Sequence, residues 1–201
     1  MSKSILFLTG DAVEVLEVYY PYYRVLEEGY EAVIASPKQK TLQTVVHDFV
    51  DGWDTYTEKP AHQLQSHIAF VDVDPEDYDA VIIPGGRAPE YIRTDAELPR
   101  ILKHFFEAGK PVGAICHGAQ VFASLKDNRY FEGRTMTAYN ACRLDVEALG
   151  ATYAEHTLHV DGKLVTGHAW PDLPGFMREF LKLVREGQDA ASAQQDGAVS
   201  V

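Results

Sequence analysis

The chain has 201 residues, of which 46% are hydrophobic and 24% are charged, and its formal net charge is −12. This composition is typical of a soluble globular protein with enough chain for one substantial core. The negative charge and the lack of a cluster of lysines and arginines argue against nucleic acid or an anionic membrane as the main partner.

The short apolar run at the N-terminus is interrupted by Asp11 and does not fit a signal peptide. No later run approaches transmembrane length. The two cysteines, Cys116 and Cys142, match neither a disulfide framework nor the spacing of a metal site. We therefore expect a cytoplasmic protein with free thiols, with no metal and no membrane partner.

The first part of the chain predicts a strand–helix–strand unit. Residues 4–9 and 32–35 are apolar runs typical of buried strands, and residues 13–28 between them predict a helix. Pro21 inside that helix predicts a kink or a break. The unit favours a parallel sheet with helices on both faces. The side chains expected on one side of the helix, facing the core, are Val15, Leu16, Tyr19, Tyr23 and Leu26.

Residues 41–70 depart from this alternation. The segment is polar and aromatic, contains Gly52, Pro60 and three histidines, and has no helical period. We predict an excursion with short strands around residues 44–46 and 68–71. An insertion of this kind in an α/β domain often forms a wall or a lid of the functional site.

The regular alternation resumes after residue 78. A buried strand begins at residue 79 and runs into the pair Gly85-Gly86. Further on we predict helices at 98–108 and 142–149, a strand at 134–138, a hairpin of 156–160 with 164–166, and a last helix within 171–184. Residues 1–187 predict a single domain, and the small, polar residues 188–201 predict a disordered tail.

One strand is followed by a helix with no loop between them. Residues 111–115 predict a buried strand and residues 117–125 a helix, with Cys116 and His117 at the junction. Such a sharp bend holds its residue in a strained backbone and projects the side chain from the sheet, as in a nucleophile elbow. Because a helix N-terminus favours an anion, we expect the Cys116 thiolate to form easily. The alternative is that Cys116 is a small buried hydrophobic residue.

Sites in open α/β sheets form beyond the carboxyl ends of the strands. Glu14 and Glu17, at the start of the first helix, are therefore expected near the elbow, although acidic residues there can simply complement the helix dipole. The N–H groups of Gly86 and His117 are candidates for an oxyanion hole, with a plain tight turn at the glycine pair as the alternative.

Three histidines, His47, His62 and His168, can also face this cleft. A single histidine is more often a hydrogen-bonded structural residue, so they remain weaker candidates, and they lack the clustered spacing of a metal site. The sequence contains no serine-nucleophile motif, no dinucleotide-binding glycine motif and no P-loop.

Three motifs, taken together, indicate a protein family: Glu14-Val-Leu-Glu-Val-Tyr-Tyr-Pro21, Ile83-Pro-Gly-Gly-Arg-Ala-Pro-Glu-Tyr91 and Ala114-Ile-Cys-His-Gly118. With them the chain resembles the ThiJ/PfpI superfamily from residue 5 to about residue 184. That superfamily includes the parkinsonism-associated deglycase, the PfpI-type intracellular proteases and the plant class III glyoxalases. Val46-His-Asp-Phe49 and Val165-Thr-Gly-His-Ala-Trp-Pro171 are most similar to the plant-type members.

The resemblance implies a flavodoxin-like three-layer α/β sandwich with a mostly parallel sheet, of the kind seen in class I glutamine amidotransferases. It implies no cofactor, and Cys116 as the nucleophile. Glu17 matches the acid that pairs with the cysteine, and His117 the neighbouring histidine. Glu90 matches the acid that reaches this histidine from an adjacent subunit, in a homo-oligomer expected to be a dimer, trimer or hexamer. The expected substrate-pocket residues are Glu14, Gly85, His47, His168 and Trp170.

The function expected from this resemblance is that of a glyoxalase III-type enzyme of the stress response. It would convert methylglyoxal or glyoxal to lactate or glycolate through the Cys116 thiolate, with possible deglycase activity. The alternatives are a PfpI-like cysteine peptidase, a hydratase acting on another small electrophile, and a redox sensor or holdase without turnover.

Overall fold

The structure, a computed structural model, describes residues 3–197, with side chains described through residue 187. In chain order its strands are β1 (Ser4–Leu8), β2 (Glu31–Ser36), β3 (Thr41–Phe49), β4 (Tyr56–Gln65), β5 (Ile68–Ala69), β6 (Ala80–Ile83), β7 (Val112–Ile115), β8 (Thr135–Met136), β9 (Thr152–Tyr153), β10 (Leu158–Asp161) and β11 (Leu164–Gly167). Its α-helices are α1 (Val15–Glu27), α2 (Ala88–Ile92), α3 (Leu98–Glu107), α4 (Arg143–Ala148) and α5 (Leu173–Gly197). Its 3-10 helices are Phe70–Asp72, Pro75–Asp77, Cys116–Leu125, Asn128–Tyr130, Asn140–Cys142 and Trp170–Asp172.

A seven-stranded sheet in the order β10-β11-β7-β6-β1-β2-β5 forms the middle layer. Its neighbouring strands are parallel except for β10 and β11, which form the predicted antiparallel hairpin. The inner strands are apolar along their whole length because helices cover both faces of the sheet. The predicted flavodoxin-like α/β sandwich is confirmed.

Alternate residues of β1 show how the three layers pack. Ile5 and Phe7 belong to the core shared with α1 and α5, whereas Leu6 and Leu8 belong to the core shared with α3 and the 3-10 helix Cys116–Leu125. The largest fully buried side chains in the two cores are phenylalanines, namely Phe7, Phe70, Phe105, Phe122, Phe131, Phe176 and Phe180.

Helix α1 meets the prediction only in part. Of the kink or break expected at Pro21, the break is absent, and the buried side chains of Val18 and Val25 lie on either side of the missing hydrogen bond. It is also rotated so that part of the expected core face lies in solvent: Leu16 is 48%, Tyr23 60% and Leu26 42% exposed. The buried residues of the helix are Glu17, Val18, Pro21 and Val25.

The excursion at residues 41–70 is a long β-hairpin. Strands β3 and β4 form a two-stranded sheet of their own, so the predicted strand around 44–46 is present but longer. The hairpin is anchored to the loop before α1, where Val45 N donates to Val13 O at 2.9 Å and Ala12 N donates to Gln43 O at 2.8 Å. The predicted strand at 68–71 is reduced to β5 and a 3-10 turn.

Smaller differences concern the second half of the chain. The predicted strand at 134–138 is the short β8, which pairs with the unpredicted β9 outside the central sheet. The predicted helix at 117–125 is a 3-10 helix, which apolar spacing over three turns does not distinguish from an α-helix. Helix α2 was not predicted. No helix within residues 3–197 is both long enough and apolar enough to cross a membrane.

The last helix extends beyond the predicted residue 184 as far as Gly197. Alanine and glutamine in this stretch are good helix formers, although its small, polar composition suggested disorder. Residues 198–201, the remainder of the predicted tail, lie outside the described residues.

The packing of α5 on the sheet leaves no room for a side chain at Gly113 of β7. A Cβ atom there would lie 2.8 Å from Phe176 Cζ and 3.0 Å from Phe180 Cδ2. We expect Gly113→Ala to lower the free energy of unfolding by about 1–3 kcal/mol through overpacking, measured by chemical denaturation. The matched control is Gly187→Ala, where nothing lies within 4 Å of the new Cβ atom. This helical substitution should leave the stability unchanged or slightly raised. Equal stability of the two variants would contradict the packing argument.

Candidate functional site

Cys116 occupies the predicted elbow, directly after β7 and at the first residue of the 3-10 helix. Its φ angle is 59°, in the left-handed region that non-glycine residues rarely adopt. Only 3% of its surface is exposed. With this strained backbone the thiol points toward the turn that follows β6, and it is buried there.

The sulfur of Cys116 meets hydrogen-bonding groups from two sides. Its Sγ atom lies 3.2 Å from Nδ1 of His117. The backbone N–H groups of Gly86 and His117 also interact with it and stabilise its charged form. These are the two N–H groups predicted for the oxyanion hole, and both lie at the Cys116 sulfur.

The expectation that the Cys116 thiolate forms easily is wrong. Burial, followed by the charge of Glu17, raises the pKa of the Cys116 thiol well above its ordinary value. The N–H groups of Gly86 and His117 lower that pKa but do not outweigh these two effects. Sequence reasoning counted the helix N-terminus and omitted the desolvation of a residue that is 3% exposed.

Glu17 is brought to the elbow by α1 and is completely buried. Its Oε2 atom accepts a hydrogen bond of 2.9 Å from Gly85 N, and its Oε1 atom has no partner among the described residues. Burial, with a smaller contribution from the charge of Glu14, raises the pKa of Glu17 to about 8. Its interactions with Cys116 and the Gly85 N–H oppose the increase. At neutral pH Glu17 therefore carries a proton next to the thiol.

The glycine pair allows this close approach. A Cβ atom at Gly85 would lie 2.6 Å from Glu17 Oε2, 2.7 Å from Cys116 Cβ and 2.8 Å from His117 N. Gly86 has a φ angle of 72°, and a Cβ atom there would lie 2.3 Å from Glu14 N. A side chain at Gly85 would separate the acid from the cysteine, and one at Gly86 would collide with the backbone before α1.

His117 is buried beside the sulfur and uncharged at neutral pH. Burial first, then the nearby His47, lowers the pKa of His117 to about 4, and the charge of Asp145 opposes this only in part. Its ring stacks on Tyr139 at a centroid distance of 5.1 Å and meets the ring of Tyr56 edge-on at 5.9 Å. A neutral imidazole can accept a proton, so His117 is available as a base.

The β3–β4 hairpin supplies one wall of the site, in agreement with its predicted role. His47 is buried, its ring stacks on Tyr56 at 4.0 Å, and its Nε2 atom lies 3.1 Å from Glu58 Oε2. Glu58 in turn accepts hydrogen bonds from the guanidinium group of Arg87, the shortest of them 2.7 Å. The hairpin is thus tied to the segment between Gly86 and α2.

The remaining predicted site residues divide into two groups. Glu14 is buried and caps α1, its Oε2 atom accepting from Glu17 N at 2.8 Å, so the dipole-complementing alternative describes its position well. Glu90 is exposed on α2, and within residues 3–187 it makes no hydrogen bond to His117. The roles of both residues in catalysis remain predictions.

His168 and Trp170 lie at the rim of the site. The His168 ring stacks on Tyr139 at 5.5 Å, and its Nε2 atom bonds to Asn140. Trp170 stacks on Phe49 at 5.3 Å and so joins the hairpin to the segment after β11. His62 is exposed in a separate groove of about 540 Å³ beside α1, away from the elbow.

Sequence reasoning missed Tyr56, Glu58, Arg87 and Tyr139. None of them belongs to a spacing pattern, and Tyr56 lies in the hairpin, whose strand limits the sequence does not define. Only Arg87 stands inside one of the three motifs. Within the described residues, no group of three or more His, Cys, Asp or Glu side chains is placed to hold a metal ion.

Comparison with known proteins identifies the class to which this fold and site belong. A family model described as the DJ-1/PfpI family matches residues 3–183. The chain therefore belongs to the DJ-1/PfpI family.

Individual relatives agree with this assignment. Protein DJ-1 homolog D of Arabidopsis thaliana is 39% identical over 190 residues, covering 91% of this chain and 48% of the relative. The chain thus spans about half the length of that relative. A deglycase of Thermococcus kodakarensis is 37% identical over 90% of this chain and 99% of its own. A Bacillus subtilis protein whose name assigns it provisionally to the cysteine proteases is 34% identical over 92% of this chain and 100% of its own.

A solved structure shows the same fold. A two-domain protein of Anabaena variabilis, with DJ-1/ThiJ/PfpI-like and ferritin-like domains, superimposes with a TM-score of 0.77 and 28% sequence identity. The match covers 92% of this chain and 48% of the two-domain chain.

The buried Glu17 should make the stability of the protein depend on pH. Its folded pKa of about 8 lies above the ordinary value of 4.5, so the favourable contribution of its proton is complete below 4.5 and is lost as the pH rises towards 8. We expect Glu17→Gln, which keeps the shape and the Gly85 contact, to be more stable than the wild type at pH 8 by about 1–3 kcal/mol. The advantage should vanish at pH 4.

Chemical denaturation at both pH values measures the effect. The control is Glu186→Gln, an exposed residue of α5, for which no such change with pH is expected. A Glu17→Gln variant that is less stable than the wild type at pH 8 would contradict the assignment of a buried, proton-binding carboxyl group.

Proposed function

We propose that the protein is a cofactor-independent glyoxalase of the class III type that converts methylglyoxal to lactate and glyoxal to glycolate. Deglycase action on early glycation adducts would use the same site. The observation that carries the proposal is the buried pair of Cys116 and Glu17 at the elbow, with the neutral His117 3.2 Å from the sulfur. Relatives named as deglycases and as a cysteine protease support an enzymatic function in the family.

The first step is the attack of sulfur on the aldehyde carbon. At neutral pH both Cys116 and Glu17 hold a proton. The reactive form has lost one of these two protons to solvent and has the thiolate beside the protonated carboxyl group. The sulfur–carbon bond forms as the electron pair of the carbonyl π bond moves to oxygen. The N–H groups of Gly86 and His117 stabilise that oxygen, which takes the proton of Glu17 to give a hemithioacetal.

The second step moves hydrogen between the two carbons of the substrate. Glu17, now ionised, or His117 removes the proton of the former aldehyde carbon, and the electron pair forms an enediol. Return of a proton to the neighbouring carbon leaves a hydroxyl group there and a thioester on Cys116. Water then hydrolyses the thioester, which releases the 2-hydroxy acid and restores the starting proton on the pair. The substrate is oxidised at one carbon and reduced at the other, so no external electron acceptor is needed.

The burial of the nucleophile favours a small substrate. Cys116 is 3% and His117 5% exposed, and the rings of Tyr56 and Tyr139 pack against His117. A two- or three-carbon aldehyde needs little space, whereas a peptide backbone would have to displace the hairpin.

The second candidate function is a PfpI-like cysteine peptidase, favoured by the contact between Cys116 and His117. A peptidase of this type orients its histidine with an acid. Within residues 3–187 no carboxylate is hydrogen-bonded to His117, so this function depends on an acid from another subunit. Peptide cleavage assayed after removal of contaminating proteases distinguishes the two. A hydratase or a redox sensor without turnover would use the same thiol, and lactate formation from methylglyoxal separates both from the glyoxalase.

The glyoxalase proposal is tested by the identity of the nucleophile. Purified protein should form lactate from methylglyoxal under anaerobic, glutathione-free conditions, and Cys116→Ser should lower the rate by about 100-fold or more because an alcohol is a far weaker nucleophile at this pH. Cys142→Ala is the matched control, since it removes the other buried cysteine and should retain activity. A Cys116→Ser variant with full activity would refute the mechanism.

We also propose that the protein acts as a homo-oligomer in which Glu90 of one subunit approaches His117 of the next. Support comes from the exposed position of Glu90 and from the apolar side chains that α1 leaves in solvent. Glu90→Gln should then lower kcat about tenfold without altering the mass measured by sedimentation. The wild-type activity should fall on dilution as the assembly dissociates. A monomer that is fully active at every concentration would exclude this arrangement.

A further inference from the structure

Tyr56, at the first residue of β4, is placed over the reactive centre by three ring contacts. Its ring stacks on His47 at 4.0 Å, meets the His117 ring edge-on at 5.9 Å and meets the Tyr139 ring at 5.8 Å. These neighbours fix the plane of the tyrosine ring relative to the nucleophile's own histidine.

The hydroxyl group of Tyr56 has no hydrogen-bond partner among the described residues. Its ring lies close to the reacting groups, since it meets the ring of His117 at 5.9 Å. Burial first, then the charges of Cys116 and Glu90, raises the pKa of Tyr56, so the phenol is un-ionised and keeps its proton. A tyrosine hydroxyl that is partly buried normally finds a partner, so this donor is available to a bound molecule.

The ring of Tyr56 is supported by a chain of hydrogen-bonded side chains that begins at His47. His47, on which Tyr56 stacks, lies 3.1 Å from Glu58 Oε2, and Glu58 accepts from Arg87 Nη2 at 2.7 Å. The side chain of His47 is 1% exposed and that of Glu58 27%. We call His47, Glu58 and Arg87 the brace. It connects the hairpin to the segment after Gly86, so the tyrosine and the oxyanion hole are positioned by the same chain of contacts.

We propose that the Tyr56 hydroxyl donates a hydrogen bond to the second carbonyl oxygen of a 2-oxoaldehyde, and that the brace holds the ring in position for this contact. The inference rests on the proposed function for its substrate class and adds the residue that selects for a second oxygen next to the aldehyde. Gly86 and His117 already serve the aldehyde oxygen. The neighbouring oxygen gains negative charge when the enediol forms, and a fixed donor there stabilises it.

The test separates the hydroxyl from the ring with Tyr56→Phe. We expect kcat/KM for methylglyoxal to fall about tenfold, the effect of one well-placed hydrogen bond of about 1.4 kcal/mol. Alkylation of Cys116 by iodoacetamide, which has no second carbonyl group of this kind, should proceed within about twofold of the wild-type rate. Tyr20→Phe, which changes an exposed tyrosine on α1, is the matched control and should change neither quantity.

A second readout does not depend on turnover. Methylglyoxal and propanal both protect Cys116 from iodoacetamide by forming a hemithioacetal, but only methylglyoxal offers the second oxygen. Tyr56→Phe should weaken protection by methylglyoxal several-fold and leave protection by propanal unchanged. One outcome is that the wild type forms no lactate while Tyr56→Phe still loses protection by methylglyoxal alone. In that case the proposed glyoxalase function fails and the Tyr56 contact stands. Equal protection in wild type and Tyr56→Phe, or an equal loss for both aldehydes, overturns the Tyr56 proposal.

The brace is tested as a set of positioning residues by a double-mutant cycle. Glu58→Gln weakens the charged contacts to His47 and Arg87 and should lower kcat/KM for methylglyoxal several-fold in the wild-type background. In the Tyr56→Phe background the same substitution should have almost no further effect, because the hydroxyl that it positions is absent. Equal losses in the two backgrounds would show that the brace does not act through Tyr56.

Discussion

The proton held between Glu17 and Cys116 is the interaction on which the arrangement of this site depends. Both groups are acids and both are buried. The charge of Glu17 raises the pKa of the Cys116 thiol, whereas the interaction with Cys116 lowers the pKa of Glu17. The proton on Glu17 removes the repulsion between the two charges, so a thiolate can form beside a neutral carboxyl group.

This constraint extends into the surrounding fold. For Glu17 to face the elbow, α1 must present a carboxyl group to the core, and its larger apolar side chains turn partly into solvent. For the carboxyl group to reach the sulfur, the turn after β6 must be made of glycine. The left-handed backbone at Cys116, Ala12 and Gly86 is concentrated in the same region. Desolvated acids and strained residues at one place are typical of a site that trades stability for chemistry.

Much of the fold could be predicted from the sequence because its signals are local. Buried parallel strands appear as continuous apolar runs, and the abrupt change from strand to helix at Cys116 identifies the elbow. The motif that contains Glu17 predicted that this residue lies beside Cys116. What failed depended on the tertiary environment. The orientation of α1 was not predicted because the buried carboxyl group of Glu17 takes part of the core face, and the pKa of Cys116 is set by desolvation. The hairpin strands carry a proline and polar residues, so their length could not be read from the pattern. Tyr56 and Glu58 reach the site only through the pairing of β3 with β4.

The hairpin is built on a different plan from the rest of the molecule. It forms a separate two-stranded sheet outside the ladders of the central sheet. It joins the body through main-chain hydrogen bonds to the loop before α1, through side-chain contacts such as Glu58–Arg87, and through the buried Leu42 and Leu64. Cys116 and Glu17 belong to the central scaffold, whereas Tyr56 belongs to this appended ribbon. Divergence of the ribbon can therefore change which molecules are accepted while the thiol chemistry is inherited intact, and one scaffold can supply a set of paralogues with different specificities.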